Sequence, residues 1–262
     1  MNIIADTHVH VYPHHNPARL FSAAAQSFAR IAPQAQHRVL CLTETASCSF
    51  FESLATGLIP LEDQWSYEQA PEPGAVKLTH PTLGDLWLLA GRQLVAEERL
   101  EVLALTEDTL RVDGKPVVDI IHEVNALGAI PVLAWAPGKW FGARGKIVSE
   151  LLDTFPPDRL LLGDSSLRPS GWGEPLLMRK AARRGAHILA GSDPLPVPGE
   201  ETQAARYACG WDAEFDPAQP VTSIRAALRA TSCTIQRVGE RNTIPEMAQR
   251  MWNHREAKKR RV

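Results

Sequence analysis

The chain has 262 residues, is 44% hydrophobic and carries a formal net charge of −2. That length supports a full hydrophobic core, and the near-balance of charge gives no footing to a nucleic-acid or membrane-surface role. No run approaches the roughly 18 uninterrupted apolar residues of a membrane span, and the segment after Met1 lacks the basic and apolar regions of a leader, so a soluble cytoplasmic protein is expected.

Taken in chain order, short apolar runs alternate with amphipathic stretches. Asn2–Ala5 reads as a strand. Pro17 to Ile31 reads as a helix, with Leu20, Phe21, Ala24, Phe28 and Ile31 at helical spacing. Arg38–Leu42 is a buried strand, and Ser47 to Gly57 suits a short helix. Residues 58–85 look irregular, because Pro60, Pro71, Pro73, Gly74 and Pro81 interrupt any period. Leu86–Val95 and Leu100–Leu105 read as strands, paired as a hairpin across Glu97–Arg99. Pro116 opens a helix to Ala126, with Gly128 beyond its end. Ala129–Trp135 is a strand, followed by a loop rich in Gly and Lys and a helix from about Lys146 to Thr154. Arg159–Leu162 is a strand, Glu174 to Arg184 a helix and His187–Ala190 a strand. The remainder reads as helical, broken near Pro217–Pro220, with a basic tail over residues 254–262 read as a solvated terminus.

Strand and helix in alternation predict a parallel sheet with helices outside. About seven such units in a chain of this length fit a distorted β/α barrel, TIM-barrel-like, better than an open doubly wound sheet. One domain spanning residues 1–262 is expected. No G-x-G-x-x-G or G-x-x-x-x-G-K motif opens the first helix, which argues against a nucleotide site. The four cysteines, Cys41, Cys48, Cys209 and Cys233, form no C-x-x-C pair and read as free thiols.

The first strand ends IADTHVHVYP. Alternation of side chains along a strand puts Asp6, His8 and His10 on one face. A carboxylate and two imidazoles are costly to bury there without partners; a divalent cation satisfies all three, and a hydrogen-bonded polar cluster without metal is the alternative. In a barrel this end of the strand is the active-site rim, and His14 and His15 follow within reach. Far downstream, AHILAGSDPLP places Asp193 just past another strand. There it is expected to ligate metal or, with His10, to serve catalysis by taking a proton from water.

These segments resemble the PHP family (polymerase and histidinol phosphatase domains) over residues 2 to 200. IADTHVH looks like the family's D-x-H-x-H, and LTETAS like its T-[DE]-H. LLAGRQLVAEERLEVLAL looks like the hairpin carrying G-x-E and a following His. GAIPVLAWAPGKW looks like the strand that ends A-H-P-G, and AHILAGSDPLP like the closing G-S-D-A-H. The departures are Thr45, Gln93, Glu101, Trp135 and Pro194, each standing where the family has a ligand residue. The resemblance therefore implies a mono- or dinuclear Zn, Mn or Fe site drawn from Asp6, His8, His10, Glu44, Glu101 and Asp193, or a fold that has lost its metal. The strand-one H-x-H and late Asp also resemble the amidohydrolase superfamily, but no His follows AIPVLAW or RLLL.

The loop APGKWFGARGK carries Lys139, Arg144 and Lys146 among glycines, and Arg168 follows the next strand. Such groups suit a phosphate or carboxylate, and Trp135, Trp140 and Trp172 stand near them. The expectation is a metal-dependent hydrolase, a phosphoesterase acting on a small anionic, phosphorylated substrate, with no membrane or nucleic-acid partner. A PHP-like scaffold without catalysis and a C–N hydrolase of the amidohydrolase type are the alternatives.

Overall fold

The computed structural model describes residues 1–259. Strand β1 (Ile3–Val9) is buried along its whole length. Helix α1 (Pro17–Ile31) starts where expected: the Asn16 side chain accepts from the Arg19 N–H at 2.9 Å, and Pro17 occupies its first turn. Its stripe of Leu20, Phe21, Ala24 and Phe28 is buried. Strand β2 (His37–Leu42) and helix α2 (Phe50–Ala55) follow.

The segment expected to be irregular holds β3 (Ser66–Gln69), β4 (Ala75–His80) and the start of β5 (Gly84–Leu89). Its prolines lie between these strands rather than inside them, so they punctuate a meander instead of abolishing it. The long strand expected over 86–95 is two strands: it breaks at Ala90, and β6 (Gly91–Val95) belongs to a different sheet from β5. The crossing passes so close to β2 that a Cβ on Gly91 would lie 2.2 Å from the Leu42 carbonyl oxygen, a contact only glycine permits.

Next come β7 (Glu101–Leu105), α3 (Val117–Ala126), β8 (Ile130–Ala134), α4 (Gly142–Thr154), β9 (Leu161–Ser165), α5 (Leu176–Arg183) and β10 (Ile188–Gly191), all close to expectation. The last third is not simply helical. It contains β11 (Tyr207–Trp211) and β12 (Gln236–Gly239) as well as α6 (Pro220–Arg229) and α7 (Ile244–Lys259). The basic stretch read as a solvated tail is helical up to Lys259, and residues 260–262 lie outside the described residues.

The expected barrel of about seven strands is not formed. The architecture is mixed α/β, with a seven-stranded sheet in the order β12-β11-β1-β2-β5-β4-β3 and a five-stranded sheet in the order β10-β9-β8-β7-β6. Both sheets are mixed. β1, β2 and β5 are parallel neighbours, as are β8, β9 and β10. The β3–β4–β5 and β6–β7–β8 runs are antiparallel, and so are β1–β11 and β11–β12. Short connections such as those flanking β4 and joining β6 to β7 return the chain antiparallel, whereas parallel pairs need a crossover.

One apolar cluster joins α1 to the first sheet through Phe21, Phe28, Leu40 and Leu88, and another joins α3, α4 and α5 to the second. A third gathers side chains from both sheets, among them Ile3, Leu89, Ile130 and Leu189, with Ile224 and Leu228 of α6. The sheets also meet through hydrogen bonds at two seams. At one, the Asp193 N–H after β10 donates to the His8 carbonyl of β1 at 2.9 Å. At the other, Glu44 after β2 bridges Gly91 and Gln93 of β6 at 3.0 and 2.9 Å. Cys41, Cys48, Cys209 and Cys233 are free thiols, as expected. No helix among the described residues is long and apolar enough to cross a membrane.

Candidate metal centre

The seam between β1 and β10 assembles the site. Among the described residues, one group of three metal-ligating side chains converges: His8, His10 and Asp193. The His8 and His10 Nε2 atoms are 3.0 Å apart, and Asp193 Oδ1 lies 3.6 and 3.7 Å from them. Donors that share one ion at about 2.0–2.2 Å stand about 3.0–3.6 Å from one another, whether tetrahedral or octahedral. The observed separations fit that spacing. The Gln93 side-chain oxygen lies 3.1 Å from the same His8 nitrogen, so a neutral oxygen donor borders the same position.

Asp193 is held in place beside His8. Gly191 lets β10 approach β1, since a Cβ there would fall 2.3 Å from the His8 Cβ. Asp193 adopts a left-handed backbone, φ 51°, uncommon for a residue other than glycine. Three bonds fix it there: its N–H to the His8 carbonyl, Ser165 Oγ donating to its Oδ2 at 3.1 Å, and Arg250 donating to its carbonyl at 3.0 Å. The remaining carboxylate oxygen faces the imidazoles. Burial pushes the Asp193 carboxyl up, but His8, His10 and Arg250 outweigh that and hold it below its ordinary value. Burial, with His8 beside it, pushes His10 down to about 3, so its ring is neutral and its lone pair available to a cation.

Asp6, expected as a ligand, is not part of this group. The pairing of β1 with β2 slips between Asp6 and Val9, and the Asp6 carboxylate is consumed by the backbone. It accepts N–H bonds from His8 at 3.2 Å, Ser192 at 2.9 Å and Ala205 at 2.8 Å, and a fourth bond from the Ser192 hydroxyl. Burial raises its carboxyl to about 6 against these bonds. It ties β1 to the ends of β10 and β11 rather than to an ion.

Glu44 is also diverted: it is buried and accepts from the Phe51 N–H at 3.1 Å, at the start of α2. Burial raises its carboxyl despite that bond. Glu101 stands outside the donor group but on the wall of the adjoining cavity, paired with Lys139. That cavity, of about 330 Å3, is lined by His10, Gln93, Glu101, Lys139, Asp193 and residues of α7.

Of the four cations expected to hold substrate, Lys139 alone lines it. Arg144 is spent on the Gly138 carbonyl at 2.9 Å. Arg168 is buried in a two-pronged pair with Asp164, at 2.7 and 2.6 Å, and also donates to the Trp172 and Gly173 carbonyls. Lys146 and Arg168 line a different cavity of about 510 Å3 with Trp135, Trp140 and Trp172. His14 and His15 line a third, of about 270 Å3, and His15 contacts the Leu195 carbonyl at 3.1 Å.

Sequence reasoning missed Ser165, which orients Asp193, and Arg250, Met251, His254 and Lys258 of α7. For Ser165 no local signal exists. For α7, the signal was the placement of Met251, His254 and Lys258 at helical spacing.

No family model matches the chain, and no curated protein does. Among solved structures, the crystal structure of PsfC from Pseudomonas syringae PB-5123 is similar in fold, at 14% identity and TM-score 0.58, covering 98% of this chain and 100% of that one.

Proposed function

We propose that this chain is a metal-dependent hydrolase of the phosphoesterase kind, holding one divalent ion, Zn, Mn or Fe, on His8, His10 and Asp193. The observation that carries the reading is the convergence of those three donors, 3.0, 3.6 and 3.7 Å apart, with His10 and Asp193 on the wall of a cavity. The kept D-x-H-x-H and G-S-D segments supply these residues and support kinship with the PHP family. Three protein ligands leave coordination positions open, the pattern of catalytic rather than structural sites.

A bound ion supplies Lewis acidity and activates water at neutral pH. One carboxylate among neutral donors leaves the centre net positive, which favours an anionic substrate. With one Asp193 oxygen on Ser165 and the other facing the imidazoles, Asp193 serves here as ligand rather than as base. Glu101, which lines the same cavity and pairs with Lys139, would be the carboxylate that moves the proton in this reading.

A second reading, a binding protein that has lost catalysis, is favoured by Trp135. It stands where the resemblance expects a ligand His, yet it is packed in the core of the second sheet. Metal analysis of protein purified without chelator, with hydrolysis of an aryl phosphate in added Mn or Zn, tests both. About one ion per chain, lost in His8→Ala/His10→Ala, together with turnover, supports the hydrolase. Bound metal without turnover supports the binding protein, and metal-free, inactive protein overturns the metal reading.

A further inference from the structure

The C-terminal helix α7 belongs to the site. Arg250 is its one buried residue and donates to five acceptor atoms on four residues: both carboxylate oxygens of Glu200, Ser166 Oγ at 3.0 Å, Asn242 Oδ1 at 2.7 Å and the Asp193 carbonyl at 3.0 Å. Glu200 in turn accepts from the Leu195 N–H at 3.0 Å. The helix is thereby locked to the loop that carries Asp193. Its next residues at spacings of three and four, Met251, His254 and Lys258, share one face, and that face lines the same cavity as His10 and Asp193.

Charge on the cavity wall is unevenly committed. Lys139 is offset by Glu101, and Asp193 faces the imidazoles. Lys258 makes no ion pair among the described residues and reaches the cavity from the exposed side of the helix. A lysine and a histidine on one helix face of that cavity suit a compact anion. The cavity, about 330 Å3, is at the small end of the ~300–1,000 Å3 range for ligand sites.

We infer that the His254 and Lys258 face of α7 is the anion-recognition wall of this cavity, selecting a compact phosphomonoester over larger or uncharged esters, with Arg250 as the positioning residue that keeps the wall in register with Asp193. This inference rests on the hydrolase reading for the ester but not for the anion.

The test uses the full-length chain loaded with Zn or Mn and inorganic phosphate as the probe. His254→Ala, Lys258→Ala and their combination are compared with wild type by calorimetric titration, with metal content and thermal unfolding measured alongside. Both side chains are at least partly exposed, so the fold is expected to survive. The double variant is expected to weaken the phosphate Kd about tenfold or more, with metal content unchanged. Lys258→Glu is expected to weaken it further and Lys258→Arg to retain most of it. A Kd within twofold of wild type in the double variant, or no phosphate binding by the wild type, overturns the inference. If turnover and metal binding persist while phosphate binding ignores these variants, the wall fails and the hydrolase stands. If no metal binds but the variants still weaken phosphate, the hydrolase fails and the wall stands.

Discussion

Truncating Arg250 tests how the candidate site is held together. The Arg250 and Glu200 side chains are 7% and 10% exposed, so solvent screens the pair little. Arg250→Ala removes the three contacts to Glu200 and those to Ser166, Asn242 and the Asp193 carbonyl. It strands a carboxylate in an interior that has lost its cation. Breaking a buried pair in this way costs about 3–5 kcal/mol, which in a chain of this size lowers Tm by about 10 °C. Loosening the Asp193 carbonyl is expected to weaken metal affinity by about 10–100-fold, as for other supports of metal ligands. Urea unfolding of Arg250→Ala, Glu200→Gln and the double variant supplies the cycle. The double variant should recover about 2 kcal/mol relative to the sum of the singles, because it removes the stranded charge. A cost below about 1 kcal/mol for Arg250→Ala, or strict additivity of the two singles, would refute the clamp.

Other consequences concern individual residues. Asp6→Asn should lower stability by about 1–3 kcal/mol, since an amide cannot accept all four bonds that the carboxylate does, yet retain metal in the folded fraction; loss of metal with unchanged stability would instead make Asp6 a ligand. Gly191→Ala should destabilise by about 3 kcal/mol or more and reduce metal content, because the added Cβ falls 2.3 Å from the His8 Cβ and 2.7 Å from its backbone nitrogen; a wild-type melting curve would show that the strands can separate freely. Glu246 opens α7 as a capping box, accepting from the Thr243 N–H at 2.7 Å and from its hydroxyl at 2.9 Å, and its carboxyl is drawn down to about 2 by the Thr243 backbone bond and Arg206. Its contribution is therefore present above the ordinary carboxylate pKa and lost as pH falls toward 2. The Tm difference between wild type and Glu246→Gln should shrink between pH 5 and pH 2, and a constant difference would count against the cap.

Much of the local structure is legible in the chain. The Asn16-Pro17 start and apolar stripe of α1, the turn at Glu97–Arg99 and the runs that become β8 to β10 are encoded over short spans by capping, turn chemistry and periodicity. The pair His8 and His10 and the distant Asp193 were also readable, because each lies at the end of an apolar run that marks a strand. Periodicity, however, does not report which strand lies beside which, or in which direction. The continuous run 86–95 reads as one strand because Gly91 marks a close approach without naming Leu42 as the neighbour or dividing the run between two sheets.

The same limit separates the site's residues. Alternation places Asp6 with His8 and His10, but the slipped pairing with β2 and the donors of Ser192 and Ala205, nearly two hundred residues away, draw its carboxylate elsewhere. Glu44 is taken by α2, and Arg168 by Asp164. Conversely, a basic C-terminal stretch gives no internal sign of Arg250's partners, which are scattered over residues 166 to 242. The sequence by itself determined which side chains with metal chemistry end the first strand and follow β10. Only the tertiary structure decided which polar groups remain available to an ion or substrate, because buried polar groups go to the partners that packing brings within reach, and packing is set by contacts distant in sequence.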